Sequence, residues 1–446
     1  MVIIEDRVQK ALQEADVVAS NTESSNRERR MVYSNLGLLE LDIEELREQG
    51  KLDIESATRY LEVLRKAQDA CSLGYLKKQP KGIYRLFYFV DEALRIAAVW
   101  CYLIDFAVIV TPPCMVTHIL FPRMGLANTC RRACGAGCYI LSNVNVKREG
   151  LTEKTFASTV SLLNFTHAST MDAFILAGVV PCGLYSLAKS ELFLIPFFAW
   201  ILAAYGGIAV NRGDQNQAVK ALRSSAERAQ RTSSQGSGSC VAISPEGTRS
   251  KSGQLAVFKK GPFYTWEDLQ SPVVPMVIFG AFDLYPPGRQ MSLPGTVVVR
   301  FLPPIMPQEV KATEPAARRK EMSSLLRRKV LLTLQESPNG VGDESPPQTI
   351  VEKVKHLGLV GACLWANYTL LEVVTQAGLR RGWSLTSMGL ASAGTTIIIS
   401  GAVYLYNLLL CTPLGGAVPG PAGVSGKGPT STSMSDGNST GNKKDN

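Results

Sequence analysis

VSLLNFTHASTMDAF, residues 160–174, is the stretch whose reading decides the fold. Its first six residues form an apolar run of the length and composition of a buried strand, and the segment after His167 reads as a helix. The same alternation continues downstream. VVPCGLYSLA (179–188) supplies a strand, PFFAWILAAY (196–205) a helix and GIAVN (207–211) a strand. Residues 214–231 give a helix whose small or apolar face is Ala218, Leu222, Ala226 and Ala229. CVAIS (240–244), PVVPMVIF (272–279) and TVVVRFL (296–302) read as buried strands, and a charged helix over 314–336 closes the unit. Strands alternating with helices predict an α/β core with a mainly parallel sheet flanked by helices.

Outside this core the composition changes. Residues 1–85 are polar and charged, with helical patterning in DIEELREQ and ATRYLEVLRKAQD, and read as a charged helical appendage. Over 86–125 an apolar helix interrupted by Asp105 meets Pro112-Pro113, which predicts a helix–break–helix associated with a membrane. The strand-and-helix unit described above then occupies 126–345. Two apolar runs follow within 350–411. The one at 357–377 carries a single acid, Glu372, and the one at 385–411 carries no charge, so each is long enough to span a bilayer as half of a transmembrane hairpin. Residues 412–446 are rich in Gly, Pro, Ser and Thr and read as a disordered tail. That tail ends in Lys443-Lys444-Asp445-Asn446, similar to a di-lysine retrieval signal, which predicts an endoplasmic-reticulum membrane protein, multi-pass, with its main domain in the cytosol.

The chain has 446 residues and a formal net charge of +9. A diffuse positive balance suits a surface beside anionic headgroups and so a lipid bilayer as partner. It lacks the concentrated stripe or recognised module that nucleic-acid binding requires. The ten cysteines form no CxxC pair, and with only three histidines in the chain a metal site is not expected. Cys130, Cys134 and Cys138, at helical spacing, read as interfacial thiols.

The chemistry centres on His167 and Asp172. Five residues turn an ideal helix by about 500°, so the two side chains would sit on different faces of one helix. They can cooperate only if His167 lies in the strand-to-helix turn and Asp172 in the first turn of the helix. There a carboxylate fixes the imidazole tautomer, and the other ring nitrogen can take a proton from a hydroxyl. Further blocks follow in order. They are Lys189 in AKSEL, Gly206-Gly207-Ile208-Ala209-Val210-Asn211-Arg212, Ser244-Pro245-Glu246-Gly247-Thr248-Arg249-Ser250, and Val274-Pro275-Met276-Val277. In these blocks the chain resembles the lysophospholipid and glycerophosphate acyltransferase superfamily. Phe258-Lys259-Lys260-Gly261-Pro262-Phe263 further resembles an element of the 1-acyl-sn-glycerol-3-phosphate O-acyltransferases. Thr166, Ala209 and Ser244 depart from the residues usual in the superfamily's blocks.

The resemblance implies an acyl-CoA-dependent O-acyltransferase of phospholipid biosynthesis, acylating 1-acyl-sn-glycerol-3-phosphate to phosphatidate, with His167 as base and Asp172 as its orienting partner. It implies that Lys189, Arg212, Glu246, Gly247, Thr248 and Arg249 bind substrate, that acyl-CoA is a co-substrate and that no resident cofactor is needed. Ser169 is expected to shape the turn, and Lys259 and Lys260 to meet CoA phosphates or headgroups. Another lysophospholipid or glycerol-3-phosphate acceptor, or a non-catalytic lipid or acyl-CoA binder, are the alternatives. A thioesterase or lipase is disfavoured by the lack of a G-x-S-x-G elbow.

Overall fold

The structure, a computed structural model, describes residues 2–21, 24–73, 83–120, 125–150, 156, 160–195, 197–210, 215–234 and 238–381. Its centre is a seven-stranded sheet of β1 (Val144–Glu149), β2 (Val160–Phe165), β3 (Gly183–Lys189), β4 (Gly207–Val210), β5 (Ser239–Ile243), β6 (Val273–Phe279) and β7 (Gly295–Phe301). The strand order is β1-β7-β6-β2-β5-β3-β4, and every neighbouring pair is parallel except β6–β7. The expected parallel core is there, but the sheet is mixed, because β1 and β7 run against the other five. β2 lies between β5 and β6, with Leu162 and Leu163 on opposite faces and both fully buried. A strand covered on both sides needs apolar residues at consecutive positions, hence a continuous run and not an alternating one.

Helices α1 (Val2–Ser20), α2 (Asn26–Glu48) and α3 (Ile54–Ala70) cover one face of the sheet. Leu36 and Ile43 of α2 and Leu64 of α3 share a core with Leu162, Val241 and Val277. The N-terminal segment is therefore a layer of the main core, not an appendage. The charge that dominates its sequence belongs to the outer helix faces, while Leu36, Leu39 and Ile43 point inward.

A second correction concerns the prolines. α4 (Ile83–Asp105) passes through a π-helical turn at Phe106–Val110 into α5 (Thr111–Leu120), so Pro112 and Pro113 do not break the helix. They fall in the first turn after the widened segment, where the wider spiral relieves the proline ring's clash with the preceding turn. Leu86–Leu120 is one helix of 35 residues that contains an 18-residue stretch of mean hydropathy 2.0, and among the described residues it alone is long and apolar enough to cross a membrane. The apolar run at 385–411 and the tail lie outside the described residues.

α6 (Leu126–Leu141) leads back to the sheet and packs across α7 (Asp172–Val179), on the face opposite α1–α3. The two helices cross backbone on backbone: a Cβ on Gly135 would lie 2.4 Å from the Gly178 nitrogen. Arg131, buried on α6, donates to the carbonyls of Ala177, Val180 and Cys182 at 2.6, 2.8 and 2.8 Å, which satisfies the end of α7. Cys134 and Cys138 are buried in the α4–α6 contact, not interfacial.

α8 (Phe198–Ala204) and α9 (Gln215–Ser234) follow β3 and β4, and α10 (Gly261–Leu269) precedes β6. The short α11 (Ala281–Leu284) follows β6, and α12 (Pro315–Gln335) packs with α2 over the first face. α13 (Ile350–Arg381) lies along α4, meeting it through Val360 and Cys363.

Candidate active site

The turn between β2 and α7 carries His167. Thr166 extends the sheet by one step: its N–H donates to the Met276 carbonyl at 3.1 Å, and its hydroxyl accepts the Ile278 N–H at 3.0 Å. His167 thereby leaves the sheet at the carboxyl end of the central strand, where ligand sites of open α/β sheets lie.

His167 Nδ1 is 2.8 Å from Asp172 Oδ2, and the same oxygen accepts the amide N–H groups of Ala168 and Ser169 at 2.9 and 2.8 Å. A carboxylate can only accept, so Nδ1 carries a proton and Nε2 of the neutral ring presents its lone pair. Asp172 is buried, whereas the His167 side chain remains 18% exposed. The arrangement is a base oriented by an acid, with one ring edge open. Ser169, also buried, donates its hydroxyl proton to the Tyr285 carbonyl at 2.7 Å and accepts the Met171 N–H at 3.1 Å. It braces the turn.

The residues of the β5 turn have divided roles. Glu246 is buried, and each of its carboxylate oxygens accepts a main-chain N–H: Oε1 from His167 at 2.9 Å, Oε2 from Ala256 at 2.8 Å. Burial pushes this carboxyl up to about 7, outweighing the two N–H bonds that favour its charge. Ser250 N–H donates to the His167 carbonyl at 2.8 Å, so both main-chain groups of the histidine are held from this one loop. Gly247 has φ +71°, and a Cβ there would meet the Lys259 side chain at 2.7 Å. Thr248 and Arg249 are exposed. Arg249 Nη1 donates to Thr170 Oγ1 at 2.6 Å, which puts its guanidinium over the histidine turn.

Lys189 ends β3 on the same sheet edge, two strand spacings or about 10 Å from β2. Its ammonium pairs with Glu191 at 2.8 Å, and both side chains are half exposed. Lys259 and Lys260 are exposed. Arg212 lies outside the described residues.

Other contributors gave no sequence signal. A small cavity of about 30 Å³, room for a water, lies behind the histidine and is lined by Arg30, Thr166, His167, Asp172, Glu246 and Gly280. Arg30 comes from α2 and is buried, with Nη2 2.5 Å from Asp283 Oδ2; Asn26 Nδ2 donates to the other oxygen at 2.7 Å. The loop after the β5 turn is tied to the N-terminal layer as well. Tyr33 donates to the Leu255 carbonyl at 2.5 Å, Gln254 to the Cys71 carbonyl at 2.7 Å, and Leu73 N–H to the Ser252 carbonyl at 2.9 Å. None of these partners is near the motif in sequence; only the buried face of α2 could have hinted at them.

Residues 145–279 match the family model described as acyltransferase. A curated relative, 1-acyl-sn-glycerol-3-phosphate acyltransferase of Saccharomyces cerevisiae, is 29% identical over 216 residues, covering 47% of this chain and 68% of that one. The protein of the same name in Helicobacter pylori is 30% identical over 161 residues, covering 36% of this chain and 63% of its own. The chain spans 47% of the coconut relative, also of that name. Among solved structures, the 1-acyl-sn-glycerophosphate acyltransferase of Thermotoga maritima gives a TM-score of 0.45 at 20% identity, over 58% of this chain and 99% of that one, too distant a likeness to bear on function.

Proposed function

Because this chain belongs to the lysophospholipid and glycerophosphate acyltransferase superfamily and is an acyltransferase, we propose that it moves a fatty acyl group from acyl-CoA to the free hydroxyl of 1-acyl-sn-glycerol-3-phosphate. The product is phosphatidate. The observation that carries this reading is the His167–Asp172 contact of 2.8 Å with Nε2 left free. In the proposed step Nε2 takes the hydroxyl proton while the oxygen attacks the thioester carbonyl. The carbon–sulfur bond then breaks, the ester forms, and the imidazolium returns the proton to the departing CoA thiolate. Asp172 stabilises the transient imidazolium. No acyl-enzyme is required, which fits a Ser169 hydroxyl already committed to Tyr285.

The acceptor phosphate is assigned to Arg249, aided by Lys189 and Arg212, since guanidinium and ammonium groups suit phosphate oxygens. Gly247 and Thr248 shape that loop, and Lys259 and Lys260 are assigned to CoA phosphates or headgroups. The reaction as written needs no resident cofactor. An endoplasmic-reticulum membrane with this domain in the cytosol is proposed as its location, and the long apolar helix supports the membrane part of that reading.

The test is to incubate the purified enzyme with one labelled acyl-CoA and, separately, lysophosphatidate, lysophosphatidylcholine, lysophosphatidylethanolamine and glycerol-3-phosphate. Labelled phosphatidate should dominate. Faster turnover with another acceptor would reassign the substrate, and no turnover with any would leave only lipid or acyl-CoA binding.

A further inference from the structure

We propose that Glu246 is a positioning residue that sets the main chain of the catalytic histidine and contacts neither substrate. The inference rests on His167 acting as the base. A carboxylate that recognises a ligand must keep at least one oxygen turned to it. Glu246 keeps none: Oε1 is taken by the His167 N–H at 2.9 Å and Oε2 by the Ala256 N–H at 2.8 Å, with the side chain 2% exposed. Among the described residues no Lys or Arg pairs with it within salt-bridge distance, and both of its hydrogen bonds are to main-chain amides.

The two amides lie on two different loops, His167 in the turn between β2 and α7 and Ala256 in the loop after β5. Ala256 is where the chain returns after the β5 turn, and Ser250, midway, donates to the His167 carbonyl. Glu246 thus closes a bracket that grips His167 on both its N–H and C=O. The ring hydrogen bond to Asp172 fixes rotation about the side chain; the bracket fixes where that side chain starts. Both are needed if Nε2 is to meet a hydroxyl within hydrogen-bond reach, since a misplacement of about 1 Å can cost about a hundredfold in rate.

Glu246→Gln tests this with almost no change of shape. Its amide oxygen can still accept one N–H, but its amide nitrogen must face the other donor. The expected result is a kcat lower by about a hundredfold, with KM for lysophosphatidate and for acyl-CoA within about twofold. Amide hydrogen exchange should speed up in the peptides holding residues 164–168 and 255–257 and stay unchanged in β3 and α12. Glu246→Asp keeps the charge but cannot span both amides, so it should lose kcat in the same way; it decides the matter if the glutamine variant fails to fold. A raised KM with kcat retained, or restoration by aspartate, overturns the proposal. His167→Ala is run beside them. Activity in that variant refutes the base reading itself, whereas an inactive His167→Ala with a KM effect at Glu246 refutes only the positioning role.

Discussion

Asp172→Asn separates the charge of the acid partner from its hydrogen bonding, and the structure says how large each part is. Oδ2 accepts three N–H donors, from the His167 ring and from Ala168 and Ser169. An asparagine that turned its NH₂ toward the histidine would set that group against two main-chain donors. The amide oxygen therefore stays in place, and Nδ1 keeps its proton. What is lost is the negative charge beside the imidazolium. With centres about 4 Å apart and an effective dielectric of about 20, that attraction is worth about 4 kcal/mol. At about 1.4 kcal/mol per decade, kcat should fall about a thousandfold. Exchanging three charged hydrogen bonds for neutral ones lowers stability by about 1–3 kcal/mol, so the protein still folds. The assay is thiol release from acyl-CoA at saturating lysophosphatidate, with a melting curve on the same sample. A folded variant within about tenfold of wild type would refute the oriented-base mechanism.

Arg249→Met should lower kcat/KM for lysophosphatidate by about 1.5–3 kcal/mol, the range for a hydrogen bond to a charged group; equal losses for lysophosphatidylcholine would make Arg249 a prop for the Thr170 turn and not a reader of phosphate. Arg30→Met leaves Asp283 buried with its cation gone and should cost about 3–5 kcal/mol in denaturant unfolding; a loss under about 1 kcal/mol would show that Asn26 alone satisfies Asp283. Burial raises the Glu246 carboxyl from 4.5 to about 7 in the folded protein, so the native state takes up a proton before the unfolded chain does. Stability should therefore rise as pH falls from about 7 to 4.5, by about 3 kcal/mol, and Glu246→Gln should lack that increment; identical pH profiles in the two proteins would contradict it.

The central strands were legible because a strand buried on both faces writes its burial as a continuous apolar run, as in VSLLNF and PVVPMVIF. β1, VNVKRE, was not, since an edge strand carries charge and imitates a loop. The His167–Asp172 contact was legible because both ends sit within one turn. The bond from Glu246 to Ala256 depends on where a loop comes back, and the Arg30 wall on how a distant helix docks; neither has a local sequence signature. The glutamate was accordingly expected to bind substrate, and the N-terminal helices were read by their outer charge.

Because α1–α3 share a core with the sheet, the protein on both sides of the long apolar helix is one body. That helix is also fastened to the body along its course. Arg95 reaches the carbonyls of Ser142 and Ser292 at 3.1 and 2.8 Å, and the Tyr102 hydroxyl reaches the Ala133 carbonyl at 2.8 Å. A helix held to the body at Arg95 and again at Tyr102 runs alongside it and does not stand away from it as a free stalk. Phe87, Phe89, Trp100 and Ile119 are all exposed along it and give that fastened helix an apolar surface of the kind a membrane covers.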